Sequence, residues 1–109
     1  MGFFDFFGSK KKTVTPVGDY GSFTNPIVVP GIPYSYAYLE HLAYPGASKI
    51  EYVRHGSTRS DQGVPIDIWE LTVFFNLTDG RQEAKKFTVY INCYGRTFNK
   101  IAPPGFFLK

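Results

Sequence analysis

The stretch from Asp67 to Leu77 leaves this chain few folds to choose from. Its odd positions, Trp69, Leu71, Val73, Phe75 and Leu77, are all apolar, whereas Ile68, Glu70, Thr72, Phe74 and Asn76 are mixed. Side chains on a strand point to opposite faces with period two, so one face here is core and the other is wet or only partly covered. The β-branched and aromatic content argues for strand over helix. Phe87, Val89, Ile91 and Cys93 repeat the apolar phase, with Thr88, Tyr90, Asn92 and Tyr94 opposite.

Thr78-Asp79-Gly80 joins the two runs. A two-residue Asp-Gly turn is the familiar hairpin solution. It would pair Thr78 with Arg81 and so set core residues against polar ones along the whole ladder. A three-residue loop with Gly80 left-handed pairs Leu77 with Arg81 instead. It then sets Leu71 opposite Phe87 and Trp69 opposite Val89. A slip of one residue flips every side chain, so the face pattern selects the three-residue loop with a bulge at Gly80, or a longer loop of the same parity.

The chain has 109 residues, the length of one domain. A chain of this size buries roughly 65% of its unfolded surface, enough for a core. Aromatics make up 18% of it, which excludes the composition of a disordered chain. The net charge is +3, and Lys10, Lys11 and Lys12 are consecutive near the N-terminus. The rest is therefore close to neutral, which argues against nucleic acid as the partner. A single cysteine excludes an internal disulfide and fits a reducing compartment. No stretch reaches the ~20 apolar residues of a membrane span, and the charges near the N-terminus follow the apolar patch, unlike a signal peptide. The expected location is cytoplasmic, with peripheral membrane contact open to residues 1–12.

Three segments follow from the pattern. Residues 1–12 read as an aromatic and basic tail, with Phe3, Phe4, Phe6 and Phe7 ahead of the lysines. Gly2 lacks the Ser or Thr at position 6 that myristoylation needs. The four Phe are expected either to fray or to act as an adhesive patch for a partner or a lipid surface. Residues 13–33 read as an extended arm rich in Pro and Gly, with no helix. Within it, Ile27-Val28-Val29 suit a short strand that flanking prolines confine to an edge. Residues 34–109 read as a single α+β domain. Its one helix is expected at 34–44, capped by Ser35, with Tyr38, Leu39 and Leu42 as its apolar stripe and Pro45 as its stop. A strand is expected at 49–55 and a polar loop at 56–65. A turn or bulge at Gly95 would bring Phe98 inward.

Leu42-Ala43-Tyr44-Pro45-Gly46-Ala47-Ser48-Lys49-Ile50 resembles the link in small bacterial and phage domains of cystatin-like type. In those, one helix ends in a Leu-x-x-Pro-Ser-Ser-Ala-like link and three or four antiparallel strands follow. Gly46 departs from that pattern. The resemblance covers roughly residues 35 to 101 and implies a curved antiparallel sheet of three to four strands wrapped on one short helix, with no particular activity.

Catalytic and metal chemistry finds little footing. His41 and His55 have no partner at ligand spacing and there is no Cys-x-x-Cys, so no metal or cofactor is expected. Cys93 shares the core phase and reads as a buried small hydrophobe. Asp67 and Glu70 point to opposite faces and form no local acid–base pair. The expected binding residues are therefore Phe74, Tyr90, Asn92 and Tyr94 on the second face, together with Phe3, Phe4, Phe6 and Phe7. That face could lie under the arm, meet a protein partner or a second copy, or stack bases; Tyr-rich, charge-poor surfaces suit protein best. The expected function is a non-catalytic protein-interaction or self-associating module. The alternative is a small ligand-binding or enzymatic domain with a pocket in a curved sheet. An exposed apolar patch marks the first, and a concave pocket with convergent polar groups marks the second.

Overall fold

The computed structural model describes residues 19–96, 98 and 100–109. The Phe patch expected at Phe3, Phe4, Phe6 and Phe7 lies outside the described residues. The long hairpin forms as its faces demand. Strand β4 (Pro65–Asn76) pairs antiparallel with β5 (Gln82–Asn92), with Leu71 opposite Phe87 and Trp69 opposite Val89. The Leu77 amide donates to the Arg81 carbonyl at 2.8 Å and Gly80 takes a φ of +87°. This is the three-residue loop, because only its parity keeps both apolar phases on one side.

The preceding strand, β3 (Lys49–Arg59), pairs antiparallel with the other side of β4. It runs four residues further than the sequence implies, into the segment expected to be loop. Gly56, Ser57 and Thr58 lack strand-like composition, but a register shift between Arg54 and Gly56 absorbs one extra residue and pairing resumes. The return turn then closes with the bond pattern of the other hairpin: Ser60 N–H donates to Val64 O, and Gly63 N–H to Ser60 O.

Strand β1 (Ile27–Val28) flanks β5, giving the sheet order β1-β5-β4-β3. It is an edge strand, as its prolines require, but it joins in parallel, so the sheet is mixed rather than wholly antiparallel. Ile27 and Val29 are fully buried, and Tyr20 nearly so. Just beyond β5 the chain turns, and the Gly95 amide donates to the Val29 carbonyl at 3.1 Å. A Cβ at Gly95 would overlap the Val28 side chain, so the backbone approaches β1 only because no side chain intervenes.

Helix α1 (Ile32–His41) covers one face of this sheet. It begins earlier than its composition suggests. Pro33 occupies the first turn, where a missing N–H costs nothing, so it starts the helix instead of excluding it. Ser35 is consequently inside the helix and no cap; it is buried and its hydroxyl donates to Ile32 O at 2.6 Å. Tyr38 and Leu39 supply the buried stripe, joined by Leu42 just past the helix end. The Tyr38 phenol donates to Ile101 O at 2.5 Å, and its burial, with Tyr20 adding, pushes its pKa up. No helix among the described residues is long and apolar enough to cross a membrane.

The last residues complete the core in cis. Strand β2 (Leu42–Ala43) pairs antiparallel with β6 (Phe107–Leu108), a small second sheet. Phe106 packs against Tyr44 and Phe87 at ring distances of 5.1 and 5.0 Å. Phe98 turns inward against Tyr38.

Two substitutions test this construction. Gly80→Val should lower stability by ~1 kcal/mol or more, because a β-branched residue resists positive φ, while Gly80→Asn should cost less. Chemical melts decide it, and an unchanged midpoint for Gly80→Val contradicts the loop. Gly95→Ala should also lower the midpoint by pushing β1 from the sheet. A neutral result there contradicts the close approach to Val28.

Candidate functional site

The turn at Gly95 shapes the surface beside it. Val29 lies three residues before Ile32, so tying Gly95 to Val29 sets Tyr94 beside the start of α1. Ile32, Tyr36 and Tyr94 together rim a cleft of about 290 Å³. Their exposures are 57%, 47% and 67%, high for such large apolar groups. Trp69, Ser35 and Asp67 line it beneath, and Arg54 completes the lining. Trp69 meets Tyr36 edge-on at 5.5 Å and Tyr52 at 5.9 Å. Its indole N–H is buried and has no acceptor among the described residues.

The polar part of the cleft is one connected group. Arg54 donates to Asp67 Oδ1 at 3.0 Å, and the Cys93 thiol donates to Asp67 Oδ2 at 3.3 Å. All three belong to the core face, where the ladder sets Arg54 across from Trp69 and Asp67 across from Ile91. Burial raises the Cys93 pKa from 9.0 to about 11; the bond to Asp67 and its charge add, while Ser35 and Arg54 pull the other way. Cys93 is thus buried and protonated at neutral pH, the state of a structural thiol rather than a nucleophile. Asp67 fixes Arg54 at the cleft's edge.

The expected binding residues do not all meet. Phe74, Tyr90 and Asn92 lie on the second face, away from α1. Tyr94 does not join them, because β5 ends at Asn92 and the chain turns toward the helix side. Counting by twos past the end of a strand puts it on the wrong face. Tyr90 is half-buried: Phe23 of the arm meets its ring edge-on at 5.8 Å, and its amide donates to Gly21 O. Phe74 is half-buried with Lys49 Nζ 4.9 Å from its ring centre. The middle of that face is charged rather than bare, since Glu70 bridges His55 at 3.3 Å and Lys86 at 3.7 Å. Ile32, Tyr36, Arg54 and Trp69 are not legible as site residues in the sequence. Nothing local joins Tyr94 to Ile32; only the long-range contact at Gly95 does.

A larger cavity of about 540 Å³ opens between α1 and β3, lined by Leu39, Leu42, Ile50 and Tyr52, with Glu40 and Lys49 beside them. The Tyr52 pKa is raised, first by burial and then by Glu40, to which it hydrogen-bonds. Among the described residues no three His, Cys, Asp or Glu side chains gather as metal ligands would. No protein-family model matches the chain, and searches of curated proteins and of solved structures return no significant match.

The Cys93 thiol gives a pH test. A raised thiol pKa contributes stability that is whole below about pH 9 and lost as pH climbs through about 11. Wild type should therefore lose stability across that window, and Cys93→Ala should lose less over the same range. Parallel stability curves for the two proteins contradict the buried assignment.

Proposed function

We propose that this domain is a non-catalytic interaction module whose binding site is the aromatic cleft at the start of α1. The observation that carries the reading is the exposure of Ile32, Tyr36 and Tyr94 around one depression floored by Trp69, with Arg54 at its edge. Tyr, Trp and Arg are the side chains over-represented at interface hot spots, and they work best clustered over a pocket. Large apolar groups held in water gain roughly 1.5–3 kcal/mol each on full burial, so a partner that covers them is favoured. The fitting partner is a short peptide segment with an apolar anchor for the cleft and an acidic group for Arg54. We place the module in the cytoplasm, where a lone cysteine stays reduced.

The second reading is a small-ligand domain, and the cavity between α1 and β3 favours it, since about 540 Å³ falls in the range of ligand pockets. Several of its polar side chains are already engaged: Tyr52 hydrogen-bonds Glu40, Ser48 donates to Phe74 O and Lys49 bridges Glu51. The interaction reading is therefore preferred.

A displayed peptide library selected on the wild-type chain tests the proposal. Enriched peptides should carry an apolar anchor and should bind the double variant Ile32→Ser, Tyr94→Ala at least roughly tenfold more weakly. Both side chains are largely exposed, so the variant's melting temperature should be nearly unchanged. Trp69 is the only tryptophan, and its emission should shift when a peptide binds the wild type. Peptides that bind variant and wild type equally contradict the site.

A further inference from the structure

Strand β3 is the outer strand of the four-stranded sheet, and among the described residues no backbone hydrogen bond reaches its free edge. An open edge is a template for another strand. Its middle reads Glu51-Tyr52-Val53-Arg54-His55, and Val53 is 60% exposed. We infer that this edge pairs antiparallel with the same edge of a second copy, about a two-fold axis through Val53.

The sequence is self-complementary about that residue. Antiparallel pairing centred on Val53 sets Glu51 opposite His55 of the second copy, Val53 opposite its equivalent, and Tyr52 opposite Arg54. Glu51 and Val53 lie across from Thr72 and Glu70, and His55 reaches Glu70, so all three stand on the open face. The open face of the junction would then read carboxylate–imidazole pair, apolar pair, carboxylate–imidazole pair. On the helix side, each Arg54 would meet a Tyr52 ring, a favourable cation–π arrangement. A parallel pairing in register would instead stack Glu51 on Glu51 and Arg54 on Arg54, which like-charge repulsion disfavours.

The present partners of Glu51 and His55 do not compete strongly. Glu51 bridges Lys49 at 3.3 Å and His55 bridges Glu70 at 3.3 Å, the first pair well exposed and the second with its imidazole exposed. Such exposed pairs hold little energy and re-form easily. The cavity between α1 and β3 leaves the helix-side flank of the edge open to a neighbouring strand. The extra residue absorbed by the register shift is His55 itself, so the regular ladder of the junction spans only Tyr52 to Arg54, Glu51 and His55 meet through their side chains at its ends, and the association is weak and reversible. The result is one continuous sheet of eight strands with both helices on the same side. The junction shares Arg54 with the peptide cleft but is otherwise a different surface, and the variants that test it lie outside the cleft.

The test uses the full chain and two single variants in a mixing experiment. In a self-pair, Glu51→Lys sets an ammonium against His55, and His55→Glu sets a second carboxylate against Glu51. Each variant alone should associate at least roughly tenfold more weakly than wild type. An equimolar mixture of the two should recover a dimer, because each junction then contains one Lys–Glu and one Glu–His pair. Sedimentation equilibrium reads the mass against the 12.3 kDa monomer. A wild type that stays monomeric to about 1 mM overturns the inference, as do variants that associate like wild type or a folded mixture that stays monomeric. If His55→Glu loses its melting transition, Val53→Lys decides alone: weakened association supports the junction and unchanged association overturns it.

Discussion

The structure depends on one requirement: Trp69, Leu71, Val73, Val89 and Ile91 must leave water on the same side. All five are nearly or fully buried. Burying each is worth roughly 1.5–3 kcal/mol, whereas a slipped register would turn the whole set outward. The loop at Gly80 is what makes the required register available. Helix α1 is too short to persist alone and is held by packing Tyr38 and Leu39 on that surface. The small β2–β6 sheet and Phe106 close the far end, so Phe106 and Leu108 have a destination within the same molecule, while Phe107 stays exposed.

The same packing decides what remains outside. The arm lays Tyr20, Ile27 and Val29 into the core and Phe23 on Tyr90, which covers part of the second face. Salt links about Glu70 occupy its middle. Besides Phe107 of β6, the uncovered apolar groups gather at two places, the rim at the start of α1 and Val53 on the outer strand. These are the surfaces on which the proposed peptide site and the proposed self-pairing rest. Arg54 lies between them, held by Asp67, which in turn accepts the Cys93 thiol.

Much of this is legible in the sequence where a buried face imposes a pattern. The register of β4 and β5, the stripe of Tyr38, Leu39 and Leu42, the burial of Cys93 and the inward turn of Phe98 all follow from alternation or spacing. The misses have physical causes. Pro33 reads as a helix breaker, yet in a first turn it is harmless, so composition places the helix start late and makes Ser35 look like a cap. Gly56, Ser57 and Thr58 read as loop because β3 is an outer strand, exposed along much of its length, where no buried face selects composition. Alternation assigns Tyr94 to the wrong side because periodicity says nothing about where a strand ends. The cleft itself is illegible, since only the contact of Gly95 with Val29 creates it.

Native-state hydrogen exchange on dilute protein tests the central arrangement most directly. With β4 inside the sheet and its odd face under α1, the amides of Trp69, Leu71 and Val73 should exchange only through global unfolding, at one shared free energy with Val89 and Ile91. Outward-facing amides between Glu51 and His55 should exchange far faster. Fast exchange at the centre of β4, or a β3 edge protected as fully as β4 in the dilute monomer, would contradict this arrangement.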